Sequence, residues 1–343
     1  MRPENVLLIT DPNSDPDDLA CMILLKMMMQ QGMVNLCGVV AAKGEFKIRE
    51  LRAKFAKAAL NLLELPEVEV AVGGDYQRRA GTGDNAFCFA EEVSQLLDKP
   101  ADVMSDAKKM MENILHKYDE ITLLIVSPMN DVADFIDYNP ELCKAKIRKI
   151  IIMGGCKDDM GCPDEKPHNN AVCYEAAVKL WQFAVDCQIP LIWMPRESVY
   201  QVQVRRDFYE RLEKLPHLLA KILLVSNKKL LEMLWEDIHC GVFSHFDIKR
   251  FAKVFMGSDF GNIEKYEDFS SVWRKLKFFN MYDAAAALVL DKELCEQAFE
   301  LEACRGNKNV LTVRIKDAAV IRNRLYDGIV GQLERIQKGK TDD

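Results

Sequence analysis

Four carboxylates, Asp11, Asp15, Asp17 and Asp18, fall within eight consecutive positions of this chain, directly after the apolar run Val6-Leu7-Leu8-Ile9. Like charges this close repel unless something positive sits among them or some of them hold protons. The pattern predicts a cation-binding or acid/base site at the carboxyl end of a first strand. Asn13 and the loop carbonyls add neutral oxygens, and such a mixture suits Ca²⁺, with roughly 6–8 oxygen ligands in irregular geometry, better than it suits zinc. A plainer reading makes Asp15, Asp17 and Asp18 caps and dipole partners of the following helix. Asp11, which ends the strand, is needed for no cap.

The elements that must hold this loop are visible as short apolar runs alternating with helical patterns. Strands are expected at Val6–Thr10, Val34–Ala41, Val68–Val72, Ile121–Ser127, Ile147–Met153 and Pro190–Met194, and helices near Asp18–Gln31, Lys47–Leu63, Ala107–His116, Asp131–Tyr138 and Cys173–Val185. Repeated β-α units of this kind give an open, mostly parallel α/β sheet flanked by helices, a Rossmann-like arrangement. Ligands then gather at strand carboxyl ends, where the acidic loop sits. After Met194 the pattern turns largely helical, through Leu230–Trp235 and Tyr266–Leu290, with one late strand at Val310–Ile315. Gly257–Ser270 reads as a surface loop or lid. With no repeat, linker or composition break, residues 1–343 read as a single domain with a helical flank.

Composition narrows the partners. Of 343 residues 49% are hydrophobic, enough for a buried core, and the net charge of −7 leaves no basic face for a nucleic acid. A small-molecule ligand is favoured. The eleven cysteines are odd in number and never spaced C-x-x-C. They read as reduced thiols, Cys156 and Cys162 included. The most apolar helical stretch, Leu19 to Met29, is too short for a membrane and carries Lys26, and no signal peptide precedes the first strand, so the expected compartment is the cytoplasm. No G-x-G-x-x-G follows the first strand, and Walker A and H-E-x-x-H sequences are absent. The glycine pairs Gly73-Gly74 and Gly154-Gly155 fit tight turns with close backbone approach.

A series of motifs now adds up. Thr10-Asp11-Pro12, Asp17-Asp18-Leu19-Ala20, Leu36-Cys37-Gly38-Val39-Val40, Ala71-Val72-Gly73-Gly74-Asp75, Ile125-Val126-Ser127-Pro128-Met129-Asn130-Asp131, Ile150-Ile151-Ile152-Met153-Gly154-Gly155, His168-Asn169-Asn170 with Glu175-Ala176-Ala177, and Tyr282-Asp283-Ala284 occur in that order. Over positions about 5 to 290 the chain resembles the nucleoside hydrolase family, calcium-dependent enzymes that cleave ribonucleosides to base and ribose. The resemblance implies that Asp11, Asp18 and Asp283, with the carbonyl of Asn130, hold Ca²⁺, and that Asp17 and Asn169 grip the ribose hydroxyls. It also implies self-association as a dimer or tetramer.

Departures from the family pattern leave roles open. The acidic loop is two residues longer than the family's, and a gapped alignment makes Asp11 the general base that takes a proton from the attacking water. An ungapped alignment puts Asn13, which cannot take a proton, at the base position, with Asp15 as a substitute. Pro167 stands where the family has a ribose-binding glutamate, Glu45 near its asparagine after the second strand, and Tyr282 where a histidine often protonates the leaving base. Tyr282 is a weaker acid than imidazolium at neutral pH. His168, Trp193 and His239 could reach the base, although each also fits a structural role. Two functions follow: hydrolysis of the N-glycosidic bond of a nucleoside or related riboside, or a catalytically impaired relative that binds a ribose-containing ligand or a protein partner.

Overall fold

In the computed structural model, which describes residues 2–13, 15–75, 87–157, 159–242, 247–257 and 268–339, the first strand is sorted between two cores by its period of two. Val6 and Leu8 of β1 (Glu4–Thr10) face one core and Leu7 and Ile9 the other, all fully buried. Helices must therefore cover both faces of the sheet. In chain order β1 is followed by α1 (Asp17–Gln30), β2 (Val34–Ala41), α2 (Phe46–Leu62), β3 (Glu69–Val72), α3 (Glu91–Leu97), α4 (Ala107–Lys117), β4 (Ile121–Ile125), α5 (Asn130–Tyr138), α6 (Pro140–Lys146) and β5 (Ile147–Met153). Then come α7 (His168–Val172), α8 (Tyr174–Asp186), β6 (Leu191–Met194), α9 (Arg196–Val199), β7 (Val204–Arg205), α10 (Arg206–Glu213), α11 (Leu218–His239) and α12 (Ile248–Phe255). The chain closes with α13 (Phe269–Trp273), β8 (Phe278–Phe279), α14 (Tyr282–Ala287), α15 (Lys292–Ala298), β9 (Phe299–Cys304), β10 (Asn307–Ile315) and α16 (Ala318–Gly339).

The main sheet has eight strands in the order β3-β2-β1-β4-β5-β6-β10-β9, parallel throughout except for β9 against β10. From β1 the chain moves outward to β2 and β3, then returns to β4 on β1's other side. That reversal opens a crevice at the carboxyl ends of β1 and β4. The expected α/β class is thus what the chain adopts.

Helix α1 is apolar all round, as a helix enclosed by others must be. Its residues from Asp17 to Met28 are buried, and it packs against α14 and α16. Gly328 of α16 is what permits that approach: a Cβ there would collide with Leu24 Cδ2 and meet Met27 Sδ at 3.1 Å. The opposite face of the sheet is covered by α4, α5 and α8 through Met110, Ile114, Val132, Phe135 and Leu180.

Among the described residues, seven of the ten strands lie where the apolar runs predict, with ends moved by up to three residues. β4 stops at Ile125 rather than Ser127, so Val126 already belongs to the crevice. The helical pattern over Tyr266–Leu290 is not one helix. It breaks into α13, the short strand β8 and α14, because β8 pairs with β7 in a separate two-stranded sheet. Positions 258–267 of the expected lid lie outside the described residues. All eleven cysteines are free thiols, and among the described residues no helix is long and apolar enough to cross a membrane.

Two glycines of α16 provide a matched test of the α1 contact. Gly331→Ala meets nothing nearer than Arg335 Nη2 at 4.0 Å, so it should stabilise the fold by about 0.5–1 kcal/mol through helix propensity. Gly328→Ala should instead destabilise by about 1–3 kcal/mol, because the methyl must displace core side chains. Urea unfolding midpoints check the pair, and equal gains for both would contradict the packing.

Candidate functional site

The chain leaves β1 at Asp11 and turns through Asn13, whose φ of 75° is one of the few left-handed values that an asparagine accepts readily. Arg52 of α2, itself fully buried, donates to the carbonyls of Asp11 and Pro12 and so fixes the turn from below. Asn13 Nδ2 donates to the Cys88 carbonyl at 2.9 Å, and the Cys88 amide returns a bond to the Asn13 carbonyl at 3.1 Å. The side chain of Asn13 is thereby used structurally and does not line the pocket.

Pro16 precedes α1 and offers no side-chain cap, so the acids behind it are not there to cap this helix. Asp18 Oδ1 accepts from the Asp11 amide at 3.0 Å and from the Thr10 hydroxyl. Asp17 Oδ2 accepts from the backbone amides of Tyr282, at 2.9 Å, and Asp283, at 3.3 Å. Asp17 is in effect the N-terminal cap of α14, more than 260 residues away, and by that bond it places Asp283 beside the acidic loop.

The result is a group of four carboxylates, Asp15, Asp17, Asp18 and Asp283, each offering one oxygen within 4.8 Å of the others. Asp17, Asp18 and Asp283 are buried and Asp15 is half-buried. Desolvation and mutual repulsion push all four acids above the ordinary carboxylate range, most strongly Asp15, Asp18 and Asp283. Among the described residues, none other than these acids themselves donates to the buried Asp15 Oδ1 and Asp17 Oδ1, and the two carboxyls face each other. Carboxylate oxygens left in this way are costly unless something charged satisfies them. Ligands on opposite sides of a Ca²⁺ ion at roughly 2.3–2.6 Å stand about 4.6–5.2 Å apart, so the observed spacing fits such an ion.

The cluster forms the floor of a cavity of about 270 Å³ at the strand carboxyl ends, which also draws Lys43, Val126, Gly154, His168, Asn169, Arg196, Tyr200 and Tyr282 to its walls. Asn169 Nδ2 donates to the carbonyls of Val126 and Met153 at 3.1 and 3.2 Å, which leaves its amide oxygen for a ligand. His168 stands open to the lumen at the rim; desolvation among the surrounding loops and the Lys43 ammonium, opposed by Asp11, lower its imidazole to about 4. Tyr282 is a neutral phenol, raised well above its ordinary value by desolvation and by Tyr200, and its hydroxyl accepts from Asn280 Nδ2 at 2.9 Å. Gly154 has no room for a side chain, since a Cβ would stand 2.5 Å from Asn170 Oδ1 and 3.0 Å from the Trp193 ring.

Three expected site residues are placed differently. Asp11 lines the cavity but stands outside the four-carboxylate group, because it pairs at 2.8 Å with Lys43, both side chains being buried. Asn130 opens α5, donates to Asp131 Oδ2 at 3.1 Å and lines a separate recess with Asp75, Asp134 and Glu175. The early end of β4 is the cause: Val126 occupies the strand mouth, and by Asn130 the chain has turned into its helix. Glu45 is exposed at the start of α2, whereas Lys43, two residues earlier and at a φ of 62°, turns inward. Lys43 and Arg196 gave no signal in the sequence; being the residues just past the ends of β2 and β6 is the feature that could have found them. Trp193 is a core residue bonded to the Gly161 carbonyl, and His239 bonds to the Trp235 carbonyl on α11.

The elevated acids set a pH dependence. A carboxyl that holds its proton more tightly folded than unfolded stabilises the fold at low pH, and that contribution is lost as pH rises above about 4, the ordinary aspartate value. In chelator, melting temperature should therefore fall more steeply with rising pH for the wild type than for Asp283→Asn. Excess Ca²⁺ should flatten the wild-type curve and add about 2.7 kcal/mol at a hundredfold excess over its Kd. Thermal scans from pH 5 to 8 check this; superimposable curves with and without calcium would contradict it. Separately, Lys43→Met should cost about 3–5 kcal/mol in urea unfolding by removing the buried ammonium that faces Asp11.

Comparison with known proteins adds the following. The family described as inosine-uridine preferring nucleoside hydrolase matches residues 6–321. The non-specific ribonucleoside hydrolase RihC of Escherichia coli is 26% identical over 129 residues, 38% of each chain. RihC of Klebsiella pneumoniae is 25% identical over 194 residues, 53% of this chain and 59% of that one. The chain thus spans less than two thirds of the length of the curated relatives it matches. Among solved structures, the type III effector protein XopQ complexed with adenosine diphosphate ribose is similar over 97% of this chain and 95% of its own, at 26% identity and a TM-score of 0.85. An inosine-uridine preferring nucleoside hydrolase from Bacillus anthracis shares the fold over 97% and 99%, at 16% identity and a TM-score of 0.58.

Proposed function

This chain belongs to the inosine-uridine preferring nucleoside hydrolase family, and from that premise we propose that it is a calcium-dependent hydrolase of the N-glycosidic bond of a ribonucleoside or related riboside. The observation that carries the reading is the buried four-carboxylate group at the floor of a strand-end cavity, with two oxygens that no described residue outside the group serves. Asp15, Asp17, Asp18 and Asp283 would hold the ion. Bound there, Ca²⁺ would supply positive charge that orients the sugar hydroxyls and makes a nearby water more acidic.

The protein's own groups do the rest. Asp15, whose Oδ1 is served by no described residue outside the acidic group, takes the proton from the attacking water, while Asp11 and its Lys43 partner form the adjoining wall. The amide oxygen of Asn169 receives a ribose hydroxyl and His168 closes the rim. Positive charge developing on the sugar ring is stabilised by the surrounding carboxylates. Tyr282 orients the aglycone. Residues 1–343 act as one domain around a single main sheet, and we place the protein in the cytoplasm, where its eleven free thiols stay reduced, as a homodimer or homotetramer.

A second reading is favoured by one observation, the likeness to an effector protein solved with adenosine diphosphate ribose. In that case the cavity binds a ribose-containing ligand without turning it over.

Ribose release from a panel of nucleosides decides between them. Asp15→Asn should lower kcat by about 10²–10⁴-fold with KM little changed, and chelator should abolish release reversibly. Asp11→Asn should lose less than Asp15→Asn. The assignment fails if Asp11→Asn abolishes release while Asp15→Asn retains it, and the hydrolytic reading fails if adenosine diphosphate ribose binds but no riboside is cleaved.

A further inference from the structure

The cavity is chemically lopsided. Its acidic floor lies over β1, whereas Arg196 follows β6, a strand three places along the sheet and so roughly 14 Å from β1 at about 4.8 Å per strand. Tyr200, one turn further, meets Tyr282 edge to face with ring centroids 6.2 Å apart, and both rings line the cavity with Arg196. The Arg196 Nε donates to Glu197 Oε1 at 2.9 Å, an exposed carboxylate outside the cavity wall, and the two Nη groups of the fork remain for a ligand. A riboside anchored by its sugar at the acidic floor must therefore present its aglycone to two aromatic rings and a guanidinium.

The other polar groups along this wall are already engaged: Lys43 pairs with Asp11 at 2.8 Å, and the Tyr282 hydroxyl accepts from Asn280 Nδ2 at 2.9 Å. A guanidinium keeps its proton, but it stabilises negative charge where that charge develops.

We propose that Arg196 receives a leaving group that departs as an anion, so that the cavity selects ribosides whose aglycones are acidic. This rests on the hydrolytic reading above. The bond from C1′ to the aglycone breaks with its electron pair going to the aglycone, and the water oxygen forms the new bond to C1′. The water's proton passes to Asp15, and the aglycone anion, paired with Arg196 as it leaves, takes a proton from solvent after release.

A series of substituted phenyl ribosides, from 4-nitrophenyl to unsubstituted phenyl, tests this by grading leaving-group acidity on a constant sugar. Arg196→Gln should lower kcat about 100-fold on the phenyl riboside and less than about threefold on the 4-nitrophenyl riboside, because the poorer leaving group depends more on the guanidinium. Arg196→Lys should recover most of the loss. Equal losses on both ribosides, or Arg196→Lys as impaired as Arg196→Gln, would overturn the inference while leaving the hydrolase intact. A wild-type protein that cleaves none of the series overturns the hydrolytic reading and this inference with it.

Discussion

Burying Asp15, Asp17, Asp18 and Asp283 within reach of one another is the constraint to which the rest of the molecule answers, since four ionised carboxylates so placed repel strongly and each loses its water. The surrounding groups reduce that cost piecemeal. Thr10 and the Asp11 amide bond to Asp18, two backbone amides of α14 bond to Asp17, Arg52 lies beneath the loop, and Lys43 balances Asp11 beside it. Two oxygens stay unserved by any described residue outside the group. A fold that gathers this much like charge and stops short of satisfying it offers a site suited to a cation.

The same bonds explain why distant segments meet. Asp17 holds the first turn of α14 by its amides, and α16 holds α1 from behind through the gap left by Gly328. Parallel topology then does the spatial sorting, because the residues after β1, β2, β4, β5 and β6 all emerge on one rim. Acid gathers at the centre of the sheet, Tyr200 and Arg196 lie toward β6, and Lys43 lies on the other side, after β2. A ligand with a hydroxyl-rich sugar at one end and an aromatic group at the other matches that order.

Much of this was legible in the residues. Mostly apolar runs of five to eight residues bounded by turn signals locate seven of the eight strands of the main sheet, since strands buried on both faces read as continuous hydrophobic segments. The crowding of Asp11, Asp15, Asp17 and Asp18 announced the site, and Asp283 followed from a resemblance spread along the chain. What could not be read was which of two neighbouring residues turns inward. Asp11 and Asp15 are equivalent on paper; the ion pair from Lys43 separates them in the fold. Glu45 and Lys43 differ by a left-handed turn at Lys43, and Asn130 lines a separate recess because β4 ends two residues before its apolar run does. β9 carries no signature in the sequence because, as an edge strand with four successive exposed residues, it lacks any alternation. Each miss is a matter of side-chain direction or of an element's end, which tertiary contacts decide.

The account stands or falls on where a divalent ion sits. Crystals grown with Mn²⁺ or a lanthanide in place of Ca²⁺ would show it by anomalous scattering. One strong peak per chain, within about 2.6 Å of oxygens from Asp15, Asp17, Asp18 and Asp283, is the predicted result. A cavity floor without a peak, or a peak only in the recess at Asp75, Asp134 and Glu175, would contradict it.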